Sequence, residues 1–322
     1  MNKKHIPIFL AADDRYLPYL AVTLKSISNH SRDEYLYEVH ILSCDIPRDR
    51  LRRLFDMDLP NLTVKTVNLD KRIHNIRREL HLRLRDYYSE SIYYRLFIPS
   101  MFPSLHRAIY IDCDVVLTRD IAELYFTDMG DALLGAVTDE SITDVPEFCD
   151  YVKRWVGVSR ENYFNSGVLI MNLDRMREEK IEEKFLYLLG KYNFDTVAPD
   201  QDYLNRLCRG RVYYLDGIWN KQPRGVCPPA CELGLIHYNM FNKPWRYPDI
   251  PYAKEFWRVA RETPFYGEIR AGFENYSDGQ IRADREGAWK LVSRAAELAQ
   301  SPFGFEEAIP RDFDEKFLFS PV

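Results

Sequence analysis

The stretch YIDCDVVL, Tyr110 to Leu117, has the apolar pattern of a buried strand broken by two carboxylates, Asp112 and Asp114. In a strand, residues i and i+2 project to one face, so the two carboxylates would stand together while Cys113 turns into the opposite layer. Desolvated side by side they repel, and a cation between them is the simplest relief. Hard oxygen ligands of this kind suit Mg²⁺ or Mn²⁺, which keep coordination positions open for phosphate oxygens. Two exposed aspartates at a strand end would read the same in isolation, so the residues around the stretch decide.

Outward from it, short β-rich runs alternate with helix-patterned segments through most of the first 240 residues, the mark of an α/β sheet with largely parallel strands. IPIFLA, YEVHILS and LTVKTVNL form the expected nucleotide-binding half. Between them lie a helix with Leu17, Leu20, Leu24 and Ile27 on one face and another starting at Pro47. A helix around SIYYRLFIPSMF leads into the strand AIYIDCD, and ALLGAVTD and FNSGVLIMNL follow as strands. A helix from Met176 carries Ile181, Phe185, Leu188 and Leu189 toward the sheet. PDQDYLNRLC opens with Pro and acidic residues, as helix starts prefer, and RVYYLD and LGLIHY are the last strand candidates. Beyond Pro248 the pattern turns to helices and aromatic turns, with a helical run from Asp278 to Gln300. The chain divides into a catalytic domain, 1–250, and a helical C-terminal extension, 251–322.

A net charge of −5 over 322 residues leaves no global positive field for nucleic acid. The basic run around Arg72 to Arg85 reads as a solvated helix face. The opening MNKKHIPIFLAADD is too briefly apolar for a signal peptide or a membrane span. Location is therefore expected to be cytoplasmic, with the cytoplasmic face of the membrane as the alternative. Six cysteines are scattered, and Cys227 and Cys231 make a weak zinc half-site, so free thiols are expected. The tail from Ser301 sets Phe303, Phe305, Phe313, Phe317 and Phe319 among acids, either to wrap back onto the domain or to meet a partner. From Asp278 onward the chain holds six Lys or Arg against nine Asp or Glu, so electrostatic attachment to an anionic bilayer is not expected, while insertion of the phenylalanines stays open.

Three motifs, LAADDRY, IDCD and HYNMFNKPW, stand where strands run out, which is where open α/β sheets form their ligand crevice. His237 ends a strand candidate and Lys243 follows in NKPW; an imidazole fits Mn²⁺ and an ammonium fits a diphosphate. In chain order over residues 6–245, LAADDRY, YYRLFIPS, YIDCDVVL, YFNSGVLIMNL, PDQDYLN and HYNMFNKPW resemble the retaining glycosyltransferases of family 8, above all the bacterial α-galactosyl- and α-glucosyltransferases.

That resemblance implies a Rossmann-like GT-A fold acting on a UDP-sugar with Mn²⁺ or Mg²⁺. It assigns Asp112, Asp114 and His237 to the metal, and Asp13 and Tyr16 to the uracil. Ala11, Ala12, Arg15, Cys113 and Lys243 complete the nucleotide contacts, Lys243 at the diphosphate. Arg95, Asn165, Ser166, Asp200 and Gln201 surround the donor sugar. Two positions depart from the bacterial pattern: Arg15 replaces a common Asn, and Met240 stands where a Gly can approach the diphosphate.

Retention through a glycosidase-like covalent intermediate needs a carboxylate beneath the anomeric carbon. Gln201 takes that place by resemblance, so same-face attack is favoured, with Asp200 as the fallback nucleophile. The acceptor is expected to be a hydroxyl of a glycan or glycolipid. A glycogenin-like self-glycosylating protein is one alternative. A haloacid-dehalogenase-type phosphatase with Asp112 as nucleophile is the other, and a poor one, since three strand candidates precede a motif that normally follows the first.

Overall fold

Strand β1 (Lys4–Ala11) buries Ile6, Ile8, Phe9 and Leu10 completely, as a strand covered on both faces must. In the computed structural model, which describes residues 3–80, 90–143 and 145–309, it lies near the middle of a seven-stranded sheet. The other strands are β2 (Tyr35–Ser43), β3 (Leu62–Asn68), β4 (Arg107–Ile111), β5 (Val115–Leu117), β6 (Leu134–Thr138), β7 (Phe164–Asn172), β8 (Val212–Tyr214) and β9 (Leu235–His237). The sheet runs β3-β2-β1-β4-β7-β6-β8, with β7 antiparallel to β4 and β6 and the remaining pairs parallel. Strand order reverses between β1 and β4, so the loops leaving their carboxyl ends open a crevice.

Helix α1 (Leu17–His30) enters with a proline in its first turn and buries Leu17, Leu20, Leu24 and Ile27 against the sheet. Helices α2 (Arg48–Phe55) and α3 (Asp70–Leu80) follow β2 and β3. The chain has the mostly parallel α/β architecture of the GT-A fold.

The structure departs from the sequence reading at four places. First, β4 stops at Ile111, and Asp112 to Asp114 form a turn, not a strand end with alternating faces. The turn is held from below: Thr23 Oγ1 of α1 lies 3.0 Å from the Cys113 carbonyl and 2.9 Å from that of Val115. Second, β9 does not join the main sheet but pairs antiparallel with β5 in a two-stranded ribbon, Val115 opposite His237. Third, SIYYRLFIPSMF is mostly a 3-10 helix (Glu90–Phe97), with one α-turn after it. Fourth, the helix expected from Met176 is two helices, Leu173–Glu178 and Ile181–Lys191, separated at Lys180 with φ 52°.

The C-terminal helix Asp278–Ala299 opens on a capping box between Ser277 and Gln280 and sends Ala295, Leu298 and Ala299 into the core. Phe305 follows it inward, its ring 4.1 Å from Phe194 and 4.9 Å from Tyr203, while Glu306 pairs with Arg206. The tail thus wraps back as far as Ile309; Phe313, Phe317 and Phe319 lie outside the described residues. Of the basic run, Arg72 pairs with Glu182 and covers the Phe97 ring, and residues 81–89 lie outside the described residues.

Candidate active site

The β5–β9 ribbon brings His237 beside a turn more than a hundred residues earlier in the chain. Pairing of Val115 with His237 is extended by Tyr238 N–H donating to the Asp114 carbonyl at 2.9 Å. One ligand atom from each of Asp112, Asp114 and His237 then lies within 4.8 Å of the others. His237 Nε2 is 3.2 Å from Asp114 Oδ1 and 3.8 Å from Asp112 Oδ2. Gly167 leaves the room: a Cβ there would fall 2.3 Å from His237 Cε1 and 2.6 Å from Asp112 Oδ2.

Whether these atoms suit a cation depends on the imidazole tautomer, and a chain of hydrogen bonds fixes it. The buried Asp139 carboxylate can only accept, so Asn165 turns its Nδ2 toward it at 3.1 Å. Asn165 Oδ1 then accepts from Asn220 Nδ2 at 2.9 Å, and Asn220 Oδ1 faces His237 Nδ1 at 2.8 Å. Nδ1 is thereby the donor, and the Nε2 lone pair points at two carboxylates. Consistently, Asp114 Oδ1 is buried and accepts no hydrogen bond. A lone pair and an unpartnered carboxylate oxygen facing each other are a poor arrangement alone and a fitting donor set for a divalent ion.

Charges around the triad are paired. Asp114 Oδ2 accepts from Lys243 Nζ, which also donates to the Tyr238 carbonyl at 2.6 Å. Burial alone would raise the Asp114 carboxyl, but Lys243 and His237 together outweigh it and hold the group well below the usual carboxylate range. Asp112 Oδ1 accepts from Arg95 Nη2 and from the Tyr110 hydroxyl, each at 2.9 Å. Arg95 also reaches the Ser166 carbonyl at 2.5 Å and Asp200 at 3.2 Å, and its guanidinium lies 4.1 Å over the Tyr110 ring.

Asp200 and Gln201 sit in the first turn of the helix Pro199–Leu207. Burial raises the Asp200 carboxyl, partly offset by Arg95, and Ser166 Oγ donates to it at 2.9 Å. Gln201 is locked at both ends: its Nε2 donates to Asp139 at 2.9 Å, and its Oε1 accepts from Ser166 N–H at 2.9 Å. Asp139 therefore holds the glutamine amide and the histidine tautomer at once. Burial works against its ionised form, but donors from Gln222, Ser141, Asn165 and Gln201 outweigh this and depress its pKa.

Two adjoining cavities collect the residues singled out from the sequence. The first, of 630 Å³, is lined by Arg95, Asp112, Asp114, Asn165, Ser166, Asp200, Gln201, His237 and Lys243, with Met240 at its edge. Met240 has φ 51°, the left-handed conformation that glycine adopts freely. The second, of 450 Å³, is lined by Ala11, Ala12, Asp13, Arg15, Tyr16 and Cys113. There Asp13 accepts from Tyr16 N–H at 3.0 Å and from Arg15 Nη2 at 2.9 Å, and Tyr19 stacks on Trp245 at 3.9 Å.

Sequence reasoning missed Asp139, Asn220 and Gln222. Asp139 was the last residue of the strand candidate ALLGAVTD, so the strand-end rule applied to the other motifs would have found it. Nothing in DGIWNKQ marks Asn220. It also missed that Ile142, Phe148, Phe241 and, from the C-terminal helix, Gly287 and Leu291 line the larger cavity, with Gly287 against the Phe241 ring.

The profile of Glycosyl transferase family 8 matches residues 7–249. Glycosyltransferase GlyF of Streptococcus pneumoniae is 28% identical over 266 residues, which are 79% of this chain and 61% of that longer protein. The lipopolysaccharide 1,2-glucosyltransferase of Escherichia coli is 27% identical over 270 residues, 75% of this chain and 74% of its own. Among solved structures, an active-site glutamine-to-glutamate mutant of LgtC is 25% identical, with a TM-score of 0.65 over 80% of this chain and 96% of that one. A second LgtC structure, described as a galactosyltransferase in complex with donor and acceptor sugar analogs, has a TM-score of 0.64.

Proposed function

The chain belongs to glycosyltransferase family 8, and on that premise we propose that it transfers glucose or galactose from a UDP-sugar to a hydroxyl of a glycan or glycolipid, with retention at the anomeric carbon. The observation that carries the metal-dependent form of this reading is the pairing of an unpartnered Asp114 Oδ1 with the His237 Nε2 lone pair, Asp112 Oδ2 beside them. Asp112, Asp114 and His237 would hold Mn²⁺ or Mg²⁺, which when bound supplies neutralisation of the charge that grows on a departing diphosphate. Lys243 adds a fixed positive group next to that charge. Asp13 and Tyr16 receive the uracil, with Ala11, Ala12, Arg15 and Cys113 around it.

Arg95, Asn165, Ser166, Asp200 and Gln201 surround the hexose. Gln201 is a weak nucleophile whose amide is already fixed at both ends, so its role is to present its oxygen to the positive anomeric centre. Attack by the acceptor from the leaving-group side then yields retention, and the departing phosphate takes the proton. The active-site glutamine that was altered in LgtC, and the sugar analogs bound to LgtC, support this assignment by likeness. The named lipopolysaccharide glucosyltransferase supports a bacterial surface glycan as acceptor. Among the described residues no helix is long and apolar enough to cross a membrane.

The test is hydrolysis of UDP-glucose and UDP-galactose by the purified chain with and without Mn²⁺. One sugar released only with metal supports the reading; full activity in chelator, or in Asp112→Ala and His237→Ala, sinks the metal assignment.

A further inference from the structure

The two cavities meet along a seam lined from both sides by Tyr16, Ile92, Arg95, Asp112, Asp114 and Arg246. A UDP-sugar with its base beside Tyr16 and its hexose beside Gln201 must carry its diphosphate across that seam; the inference rests on this donor reading. Two seam residues are cations. Arg95 is bound to Asp112 and Asp200, both cavity residues, so its charge is already balanced inside the site. Lys243, in the larger cavity, is likewise bound to Asp114. With a divalent ion in place, Asp112, Asp114, Asp139 and Asp200 balance that ion, Arg95 and Lys243; Lys290 and Arg294 also line the larger cavity but not the seam, so the remaining cation at the seam is Arg246.

Arg246 differs in where its partner sits. Its Nη1 donates to Asp284 at 3.1 Å (Oδ1) and 3.2 Å (Oδ2), and Asp284 lines neither cavity. The pair therefore brings a positive charge to the seam and leaves the negative one outside. Asp284 is well fixed on the C-terminal helix, since the Tyr247 and Tyr276 hydroxyls donate to it at 2.9 and 2.7 Å. The guanidinium rests over the Tyr276 ring at 5.6 Å. Its charge is felt at both Tyr16 and Lys243.

We propose that Arg246 binds the donor diphosphate as a second cation alongside Lys243, and that the C-terminal helix positions it through Asp284. The helix lies beyond the residues matched by the family profile, so this clamp couples a segment outside that match to the donor site.

Calorimetric titration of the whole chain with UDP and with uridine, in Mn²⁺, tests it. A charged hydrogen bond of ordinary strength predicts that Arg246→Gln weakens UDP about ten- to a hundredfold while uridine binds as before. Arg246→Lys recovers part of the loss, and Asp284→Asn weakens UDP by a smaller factor, again without touching uridine. UDP affinity unchanged in Arg246→Gln, or a matching loss for UDP and uridine, overturns the proposal. A wild-type chain that binds no UDP overturns the donor reading itself, a separate failure.

Discussion

The larger cavity has two unlike walls. On the sheet side, polar groups are tied in a fixed order: Asp139 holds Asn165 and Gln201, Asn165 holds Asn220, and Asn220 holds His237. Elsewhere in the lining Ile142, Phe148, Phe241 and Leu291 offer apolar and aromatic surface, with Lys290 and Arg294 of the C-terminal helix beside Leu291. The first wall sets the direction of each donor and acceptor, as chemistry at a bond requires. The second sets mainly shape.

Breaking the polar wall at its end should have the largest effect. Asp114→Ala or His237→Ala removes a ligand from the triad, and a loss of at least about 10³-fold in metal-dependent UDP-sugar hydrolysis is expected. Asp139→Asn leaves the ligands in place but gives Asn165 and Gln201 a partner that can also donate, so the His237 tautomer is no longer imposed. A loss of about 10- to 100-fold in Mn²⁺ affinity is expected, measured by titration.

The apolar wall should respond differently. Leu291→Ala should leave UDP-sugar hydrolysis unchanged and raise the KM for transfer to an acceptor glycan found on an array by about three- to tenfold. An equal fall in hydrolysis would mean that the two walls are not separate.

The smallest effect concerns Asp202, buried beneath the polar wall. Burial pushes its carboxyl up to about 7, partly offset by donation from the Tyr151 and Tyr163 hydroxyls at 2.6 Å each. Unfolded, an aspartate titrates near about 4, so between about pH 4 and 7 the folded chain holds the extra proton and stability falls as pH rises. Above that window the contribution is flat. Asp202→Asn should flatten the fall of Tm across it, a change of about 2–4 °C for each kcal/mol removed.

Sequence legibility followed the same division between walls. IPIFLA and AIYI were readable because a strand buried on both faces must be apolar throughout, and their ends place Asp13 and Asp112 at the crevice; YEVHILS was readable because buried Val39 and Ile41 alternate with half-buried Glu38 and His40. Asp114 and His237 were readable only through the joint order of distant motifs, because their meeting depends on a three-residue ribbon, β5 with β9, too short to carry a pattern of its own. The i, i+2 argument for YIDCDVVL foresaw two carboxylates side by side but not how: the chain leaves the strand at Ile111 and a turn orients them. The site roles of Asn220, Gly287 and Asp284 were invisible: the helix from Asp278 was readable, but neither a hydrogen-bond relay nor the place where that helix docks shows in local periodicity.

Mn²⁺ binding, followed by the loss of its free-ion paramagnetic resonance signal, is the most direct test of the triad. The wild type should bind one ion, His237→Ala should bind it at least about tenfold more weakly, and Asn220→Ala should fall between them. Equal binding by all three proteins would contradict a metal site built from Asp112, Asp114 and His237.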